Sequence, residues 1–540
     1  MKVQKTLDNS NENYFVLVAE SLLIGSFTGL AITLFRFSIG KLSMAVQSIF
    51  TYISFFSPYY LLLLIPIFAI FGIIMGLIVT KYPMIVGGGV AQIEGVFMKR
   101  LKLSFWPEFP LKFIGGVMDI GLGLSLGREG PSVQIGAYIG DAIEKIGKRS
   151  FTERICLITA GAAAGLSATF GAPFAGILFA IEDLHQYFTP LLLACVMAGS
   201  FASDFVVSML LGKHNAFNLM ATSQIPLSQF WLLIGLGILV AIIGHLFKKS
   251  IYTSQSFYKR LHIPQNLQPI IPFLLVIPFY LTFGYVNGGG DALIEAIKEH
   301  NFPLYMLVLL LFTKLIFTGL SAGSGAIGGI FVPLFACGAL GGLIYAETLI
   351  FFGILDASLK ESMMIFGMVA CFATVIKAPL TACAIMIETC SGLHNLSALV
   401  LTSLVAYTTA NIIGSKSHDE VLLTQILKNK EGDINFERED KSPSTDPEDE
   451  EAPVSDNKRK QKNNIELEIL PSSFLEQKKL RDIRWPDGSM IIGVVRQKEE
   501  LFPERHLKLQ SGDIIIISLE DVRKDNVLAE LKLLCTPKGQ

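Results

Sequence analysis

The distribution of apolar residues along this chain predicts a long membrane body followed by a polar tail. A helix rises ~1.5 Å per residue, so about 20 apolar residues cross a bilayer core. The uncharged stretches 61–79 and 396–413 are close to that length. A longer uncharged stretch, 155–181, contains Gly and Pro and therefore predicts two helices. With 51% hydrophobic and 17% charged residues, the composition is that of an integral membrane protein.

The polar tail divides into a linker and a small domain. Residues 429–464 are rich in charge and Pro and nearly free of apolar side chains, which predicts a disordered linker. Beyond it, apolar runs are short, and three predict strands while a last segment predicts a helix: 465–470, 490–495, 514–518 and 522–533. We therefore expect a membrane domain over 1–428 and an α+β domain over 465–540.

The membrane body contains an internal duplication. The segment Gly-Arg-Glu-Gly-Pro at 127–131 corresponds to Gly-Ile-Phe-Val-Pro at 329–333, an offset of 202 (329 − 127). Residues 172–182 recur as 378–388 at an offset of 206 (378 − 172). The two halves span about 14–211 and 230–428. Apolar repeats interrupted by Gly and Pro are typical of transporters whose broken helices meet near mid-membrane.

Three Gly-containing segments, 87–89, 127–131 and 329–333, predict helix starts. Pro131 and Pro333 suit a first helical turn, and Gly87, Gly88 and Gly89 precede an apolar run at 90–96. A helix N-terminus carries unpaired N–H groups and about half a positive charge, so it attracts an anion. Several such ends together would hold an anion without a full positive charge, which favours passage over tight capture.

Glu129 is the acid whose position is hardest to explain as structural. A carboxylate near the bilayer centre costs roughly 2.5–3.5 kcal/mol on insertion scales, so it needs a function or a partner. The structural alternative is an ion pair with the adjacent Arg128. Glu94 and Glu388, which also lie in apolar segments, are interpreted as structural or helix-end acids.

Three motifs resemble the CLC family of chloride channels and transporters. They are residues 127–136, 161–166 and 172–179, in family order, and residues 329–333 match the family's second anion-binding motif. The resemblance covers about 14–428. It implies an all-α polytopic membrane protein, a homodimer whose subunits each contain one pore built from two inverted halves. It also implies a proton-coupled chloride antiporter.

The resemblance assigns roles to individual residues. Glu129 would be the external gating and coupling glutamate, and Asp183 would deliver protons from the inside. A plain interfacial acid is the alternative for Asp183, and a packed or solvated histidine is the interpretation of His185. The anion would be bound at seven positions: Gly87, Gly88, Gly89, Arg128, Gly130, Ile330 and Phe331.

Two departures from the family pattern bear on selectivity. Gly88 stands where the family usually supplies a serine hydroxyl. The segment 415–420 lacks the tyrosine expected before the last membrane helix, so His418 or Asp419 takes its place as inner gate candidate. A passive anion channel on the same scaffold therefore remains the alternative. Pro131 is typical of chloride-type members, so fluoride export ranks low.

The tail resembles the TrkA-C regulatory module of potassium channels and transporters. The matching stretches are 480–484, 491–496 and 509–513. Such modules dimerise, and some bind cyclic dinucleotides, for which Asp482 and Arg484 are the ligand candidates. A purely structural dimerisation module is the alternative. A third hypothesis makes the whole chain a membrane-anchored sensor, and the buried Glu129 argues against it.

Other classes of function find no support in the sequence. The net charge of −2 does not suggest a nucleic-acid partner. We find no P-loop, metal-ligand cluster or nucleophile elbow, so we expect neither an enzyme nor a cofactor or metal. The polar N-terminus has no signal-peptide pattern. We expect a multi-pass protein of a bacterial cell membrane, with both termini cytoplasmic.

Overall fold

The computed structural model describes most of the chain in two compact units, residues 1–442 and 443–540. The described residues are 2–56, 63–147, 150–185, 188–212, 217, 219, 223–390, 395–439, 464–470, 473–480, 483, 485–486, 489–496, 499–501, 507–519, 531 and 534–535.

The first unit is helical throughout its described part. Seven of its described helical segments are long and apolar enough to cross a membrane, and two shorter apolar helices accompany them, Pro379–Thr389 and Leu396–Ile412. The helices are α1 (Lys2–Phe56), α2 (Leu64–Lys81), α3 (Val90–Phe97), α4 (Phe105–Gly121), α5 (Glu129–Gly147), α6 (Phe151–Phe170), α7 (Pro173–Phe179), α8 (Pro190–Leu211), α9 (Phe230–Arg260), α10 (Ile270–Thr282), α11 (Asp291–Glu299), α12 (Leu304–Gly323), α13 (Phe331–Phe351), α14 (Lys360–Val375), α15 (Pro379–Thr389), α16 (Leu396–Ile412) and α17 (His418–Glu439).

The breaks between helices fall where Gly and Pro predict them. The apolar stretch 155–181 is divided between α6 and α7, because Gly171 closes α6 in the left-handed conformation (φ 64°) and Pro173 opens α7. Helices also begin at all three predicted starts, with α3, α5 and α13. Gly89 adopts φ 103° directly before α3, a conformation that side chains other than Gly rarely adopt.

The duplication is visible in how helices cross. In the first half, α5 and α6 cross where Gly136 meets Gly161, and a Cβ on either would overlap the other's carbonyl oxygen. In the second half, α13 and α14 cross in the same way at Gly338 and Gly367. Each pair packs backbone to backbone, which is how small residues allow close helix contacts in membranes.

Two glutamates join the halves reciprocally. Glu182, in the π-helical turn Ala180–His185 after α7, accepts hydrogen bonds from the backbone N–H groups of Leu380 (3.0 Å) and Thr381 (2.7 Å) at the start of α15. Glu388, at the end of α15, accepts hydrogen bonds from Phe174 (3.0 Å) and Ala175 (2.8 Å) at the start of α7. Each carboxylate thus caps the helix of the other half, and Glu388 is a helix-end acid as expected.

The last helix extends further than expected. A linker was predicted from residue 429, but α17 continues past Lys428 to Glu439. The sequence there is rich in Lys, Glu and Arg, which favour helix, and no proline occurs before Pro443. The rest of the predicted linker, 440–463, lies outside the described residues.

The tail unit is a four-stranded antiparallel sheet in the order β1-β4-β2-β3. Its strands are β1 (Asn464–Glu468), β2 (Ser489–Arg496), β3 (Glu499–Leu501) and β4 (Ile514–Leu519). Three strands match the predicted runs, and β3 was missed because it is short and charged. The predicted helix 522–533 lies almost wholly outside the described residues.

An ion pair between the half-buried Arg496 and the buried Asp513 fixes the turn before β4. Arg496 on β2 donates two hydrogen bonds of 2.7 Å to the carboxylate of Asp513, which also accepts one from the backbone N–H of Gln510 (2.8 Å). Burial by itself would raise the pKa of Asp513, but these hydrogen bonds hold it below its usual value. The pair therefore orders the turn at Gly512 and Asp513.

We expect the two reciprocal glutamate caps to contribute equally to the stability of the membrane unit. Glu182→Gln and Glu388→Gln each keep the shape but lose the charge, so each should cost roughly 1–2 kcal/mol of stability. Apparent melting temperatures of the purified protein in detergent test this, with the exposed Glu299→Gln as control. A drop for one variant alone would contradict the reciprocal arrangement.

Candidate functional site

Three helix starts converge at one place in the membrane unit. They are the first turns of α3, α5 and α13, preceded or opened by Gly88, Gly130 and Gly329. A Cβ built on Gly88 would lie 3.5 Å from the Cα of Gly130 and 3.6 Å from the Cα of Gly329. The three turns are therefore at van der Waals distance, and the positive ends of three helices lie side by side.

Backbone hydrogen bonds hold these turns to one another. The N–H of Gly127 donates to the carbonyl of Gly329, and the N–H of Gly329 donates to the carbonyl of Gly127, both at 2.7 Å. The N–H of Gly87 donates to the carbonyl of Ala326, and its carbonyl accepts from the N–H of Gly328, both at 3.2 Å. The first and second halves of the duplication thus meet at the proposed anion-binding motifs.

Two fully buried lysines bind backbone carbonyls at matching places of the two halves, just before α3 in the first and just before α11 in the second. Lys112 donates to the carbonyls of Ile85 (2.9 Å) and Gly87 (2.7 Å). Lys314 repeats this contact in the second half, where it donates to the carbonyls of Val286 (2.9 Å) and Gly288 (2.8 Å). Each ammonium group thus has two carbonyl partners, so both positive charges are tolerated in an apolar body.

Both lysines were missed from the sequence alone. The signal that could have found them is the repeat itself, since Lys112 and Lys314 are separated by the same offset (314 − 112 = 202) as the glycine motifs. A cation retained at matching positions of two apolar halves points to a shared structural task.

Glu129 lies where the first turns of α3, α5 and α13 meet. Its side chain is fully buried, and its carboxylate packs so tightly on Gly127 that a Cβ there would overlap Oε2. The carboxylate also lies beside the N–H of Val332 at the start of α13. Among the described residues, neither oxygen has a hydrogen bond of ordinary geometry. The carboxylate therefore sits where helix N–H groups would receive an anion.

Arg128 does not form an ion pair with Glu129 within the described part of the chain. Its Nη1 instead lies 3.8 Å from Oδ2 of Asp291, the first residue of α11. Arg36 of α1 lies within electrostatic range of Arg128, Asp291 and Glu129, and donates to the carbonyl of Ala168 (3.0 Å). Neither Asp291 nor Arg36 stood out in the sequence, because each is an isolated charge far along the chain from the motif.

Asp183 belongs to a second group of acids. It lies in the π-helical turn after α7, is 9% exposed, and its Oδ2 has no hydrogen-bond partner among the described residues. Asp419, Glu94 and Glu182 are within electrostatic range of it. The assignment of Glu94 as a plain structural acid stays a prediction.

Aromatic contacts connect the surroundings of the two acids. Phe179, one turn before Asp183, packs edge-on against Phe331 with ring centroids 6.3 Å apart. Phe331 also packs edge-on against Phe372 at 4.9 Å. Since Phe331 opens α13, this cluster lies directly beside the meeting point of the helix starts.

His185 is a packed histidine, as expected. Its Nε2 is 2.7 Å from Oγ1 of Thr159, and its ring stacks on Phe97 with centroids 4.8 Å apart.

The inner gate candidates are the first two residues of α17. His418 and Asp419 are 8% and 6% exposed. The ring of Tyr252, from α9, stacks on His418, and its hydroxyl is 3.5 Å from Nδ1. A tyrosine of another helix, Tyr252, therefore lies beside the segment 415–420, which itself contains no tyrosine. The sequence could not reveal this contact, because the two segments are far apart along the chain. The tail candidates Asp482 and Arg484 lie outside the described residues.

Comparison with known proteins agrees with this architecture. The family model described as voltage gated chloride channel matches residues 71–411, and the TrkA-C domain model matches residues 464–524. The H(+)/Cl(-) exchange transporter ClcA of Yersinia pestis is 34% identical over 352 residues, 64% of this chain and 74% of the relative.

Solved structures agree as well. A slow cyanobacterial Cl-/H+ antiporter is similar with a TM-score of 0.72 at 25% identity, over 76% of this chain and 98% of the other. A CLC-type fluoride/proton antiporter is similar with a TM-score of 0.59 at 25% identity, over 73% and 95%. On these motifs, this fold and these matches, the chain belongs to the voltage-gated chloride channel (CLC) family and carries a TrkA-C domain.

Proposed function

We propose that this chain is a proton-coupled chloride antiporter of a bacterial cell membrane. The observation that carries the proposal is the buried carboxylate of Glu129, which lies at the converging helix starts without an ion pair to Arg128. A charge in that position is costly to bury, and an exchange mechanism explains its presence because the carboxylate would bind the transported proton. Similarity to the Yersinia H(+)/Cl(-) exchange transporter and to the cyanobacterial Cl-/H+ antiporter supports chloride and protons as the exchanged ions.

In this mechanism Glu129 competes with the anion. Ionised, its carboxylate occupies the space beside Gly127 and the N–H of Val332. Protonated, it loses its attraction to the helix ends and moves aside, so that chloride binds to the same N–H groups. Proton binding and anion binding are thereby coupled at a single place.

Asp183 completes the proton path in this proposal. It delivers protons from the inner side, where Asp419 lies within electrostatic range and would share the charge. The contact between the rings of Phe179 and Phe331 supports a short route from this acid group to the proposed anion site.

The anion site proposed here consists mainly of backbone. N–H groups near Gly88, Gly130, Ile330 and Phe331 would contact chloride, and no serine hydroxyl assists them. At the inner end, His418 and Asp419 would replace the usual tyrosine. We therefore expect a weaker preference for chloride over nitrate than a hydroxyl-containing site would have.

We further propose a homodimer with one pore per subunit and cytoplasmic termini. The membrane domain would extend to about residue 428, and the domain from about 465 would be a regulatory module. Binding of a cyclic dinucleotide at Asp482 and Arg484 is part of this proposal. The TrkA-C match over 464–524 supports the module.

We expect Glu129→Ala to abolish coupling. Chloride efflux and proton movement are measured together in proteoliposomes, and the wild type should drive protons uphill from a chloride gradient. In the variant, chloride should still move while proton movement falls at least about tenfold, because the titrating carboxylate is gone. Asp183→Asn should likewise lose proton movement, with the half-buried Glu94→Gln as the control that remains coupled. Anion flux without proton movement in the wild type would establish a channel instead.

Gly88→Ser should strengthen chloride preference. A Cβ at this position makes only ordinary contacts of 3.5 and 3.6 Å, so the side chain fits. One added hydrogen bond contributes about 0.5–1.5 kcal/mol, which corresponds to roughly a two- to tenfold rise in chloride over nitrate flux. Gly88→Ala is the matched control, since it adds the carbon without the hydroxyl. An equal change in both variants would refute the role of the hydroxyl.

Removal of residues 443–540 should leave a dimer that still transports chloride, because the two units are separately compact. Size-exclusion chromatography with light scattering and the flux assay test this. Cyclic di-AMP is titrated against both proteins, and it should bind only to the full-length chain. A monomeric or inactive truncated protein would contradict the proposal that the membrane unit dimerises and transports chloride without the tail.

A further inference from the structure

A cavity of about 580 Å³ lies between α9 and the segment that leads into α17. Five of its lining residues are basic or histidine: His245, Lys248, Lys249, Arg260 and Lys416. Hydroxyl groups of Thr253 and Ser256 also line it, and no described carboxylate does. Such a lining selects an anion, and its combination of ammonium, guanidinium and hydroxyl donors suits the several oxygens of a phosphate group.

The cavity has unused capacity for hydrogen bonding. Nδ1 of His245 is buried and has no partner among the described residues. Lys249 and Arg260 have no carboxylate within ion-pair distance in the described part of the chain, and Lys416 pairs only with the exposed Glu420 (3.3 Å). The positive charge of this wall is therefore largely uncompensated by the protein itself.

The position of the cavity along α9 is at the edge of a bilayer core. Residues 230–247 contain no Lys, Arg, Asp or Glu, and at ~1.5 Å per residue they span about 27 Å, close to the hydrocarbon thickness. Lys248 and Lys249 follow directly. Beside them, Ile242 and Leu246 expose large apolar side chains on the same helix, at 47% and 39%.

We propose that this cavity binds a phosphate-bearing headgroup, with its acyl chains along the exposed apolar side of α9. Basic pockets between membrane helices at this level are suited to anionic lipids. The shared chemistry is an anionic phosphate, which a phospholipid or a soluble phosphate compound could supply. The level of the cavity in the membrane and its apolar border favour the lipid.

The cavity is mechanically connected to the inner gate candidates. Lys248 donates to Oγ of Ser415 and to the carbonyl of Lys416 (2.6 Å), so it holds the segment before α17. Tyr252 lines the cavity and stacks on His418. A phosphate bound here would draw Lys248 and Tyr252 towards itself. It would therefore change transport from the inner side, and this last step rests on the proposed function.

Binding is tested on the full-length protein in detergent. Native mass spectrometry measures retention of dioctanoyl phosphatidylglycerol, with dioctanoyl phosphatidylcholine as the zwitterionic comparison and inorganic pyrophosphate as the soluble one. The variant Lys249→Gln/Lys416→Gln removes two cavity cations, and Lys259→Gln/Lys428→Gln removes two from outside the cavity, on α9 and α17. At about 1 kcal/mol per basic side chain, the cavity variant should bind phosphatidylglycerol roughly thirtyfold more weakly.

Each outcome decides the proposal. Selective retention of phosphatidylglycerol, lost in the cavity variant alone, supports the lipid site. Retention of pyrophosphate with the same loss supports the phosphate site and assigns it a soluble ligand. No selective retention, or equal losses in both double variants, overturns it.

A transport assay separates this proposal from the antiporter itself. Chloride flux should differ between phosphatidylcholine liposomes with and without phosphatidylglycerol for the wild type, and this difference should vanish in the cavity variant. An equal fall of flux in both lipids would make the cavity part of the anion path and overturn the lipid site. Absence of flux in every lipid would refute the antiporter, while the binding measurement would still decide the cavity.

Discussion

The reciprocal hydrogen bonds between Gly127 and Gly329 are the constraint on which the rest of this structure depends. At 2.7 Å in both directions, they join equivalent positions of the two halves of the duplication. Helices α5 and α13 begin directly after them, so their N-termini are forced together. A side chain at Gly130 would be crowded by the backbone of Gly88 and Gly329, and so only glycine lets the third start, that of α3, approach as well.

The same arrangement explains how charge is tolerated in an apolar body. Helix N-termini supply partial positive charge, and the buried ammonium groups of Lys112 and Lys314 each bind backbone carbonyls before a helix start, that of α3 and that of α11. Glu129 is the matching negative charge, held at the helix starts while Arg128 turns to Asp291. An anion that displaces this carboxylate meets a site already arranged for negative charge, which is the physical basis of the proposed exchange.

The sequence was informative where local chemistry decides the structure. Gly and Pro predicted the helix starts at 90, 129 and 331 and the break between α6 and α7, because they act on the backbone of their own turn. The duplication predicted that the two halves meet, and the motifs identified the family before any geometry was known. The predicted tail strands followed from short apolar runs.

What the sequence did not reveal depends on contacts between distant segments. Asp291 beside Arg128, Tyr252 on His418 and the crossed caps of Glu182 and Glu388 each join residues far apart in the chain, and nothing in their local sequence marks them. The extension of α17 past residue 428 was missed for a different reason. Charged residues indicated a linker, whereas Lys, Glu and Arg also favour helix when no proline interrupts them.

In the proposed mechanism, a small anion binds to backbone N–H groups where α3, α5 and α13 begin. Crystals grown in bromide test this binding through anomalous scattering, since bromide substitutes for chloride. We expect an anomalous peak within hydrogen-bonding distance of the N–H groups near Gly88, Gly130 and Phe331, strengthened by Glu129→Gln. Bromide found beside lysine or arginine side chains, with none at the helix starts, would contradict it.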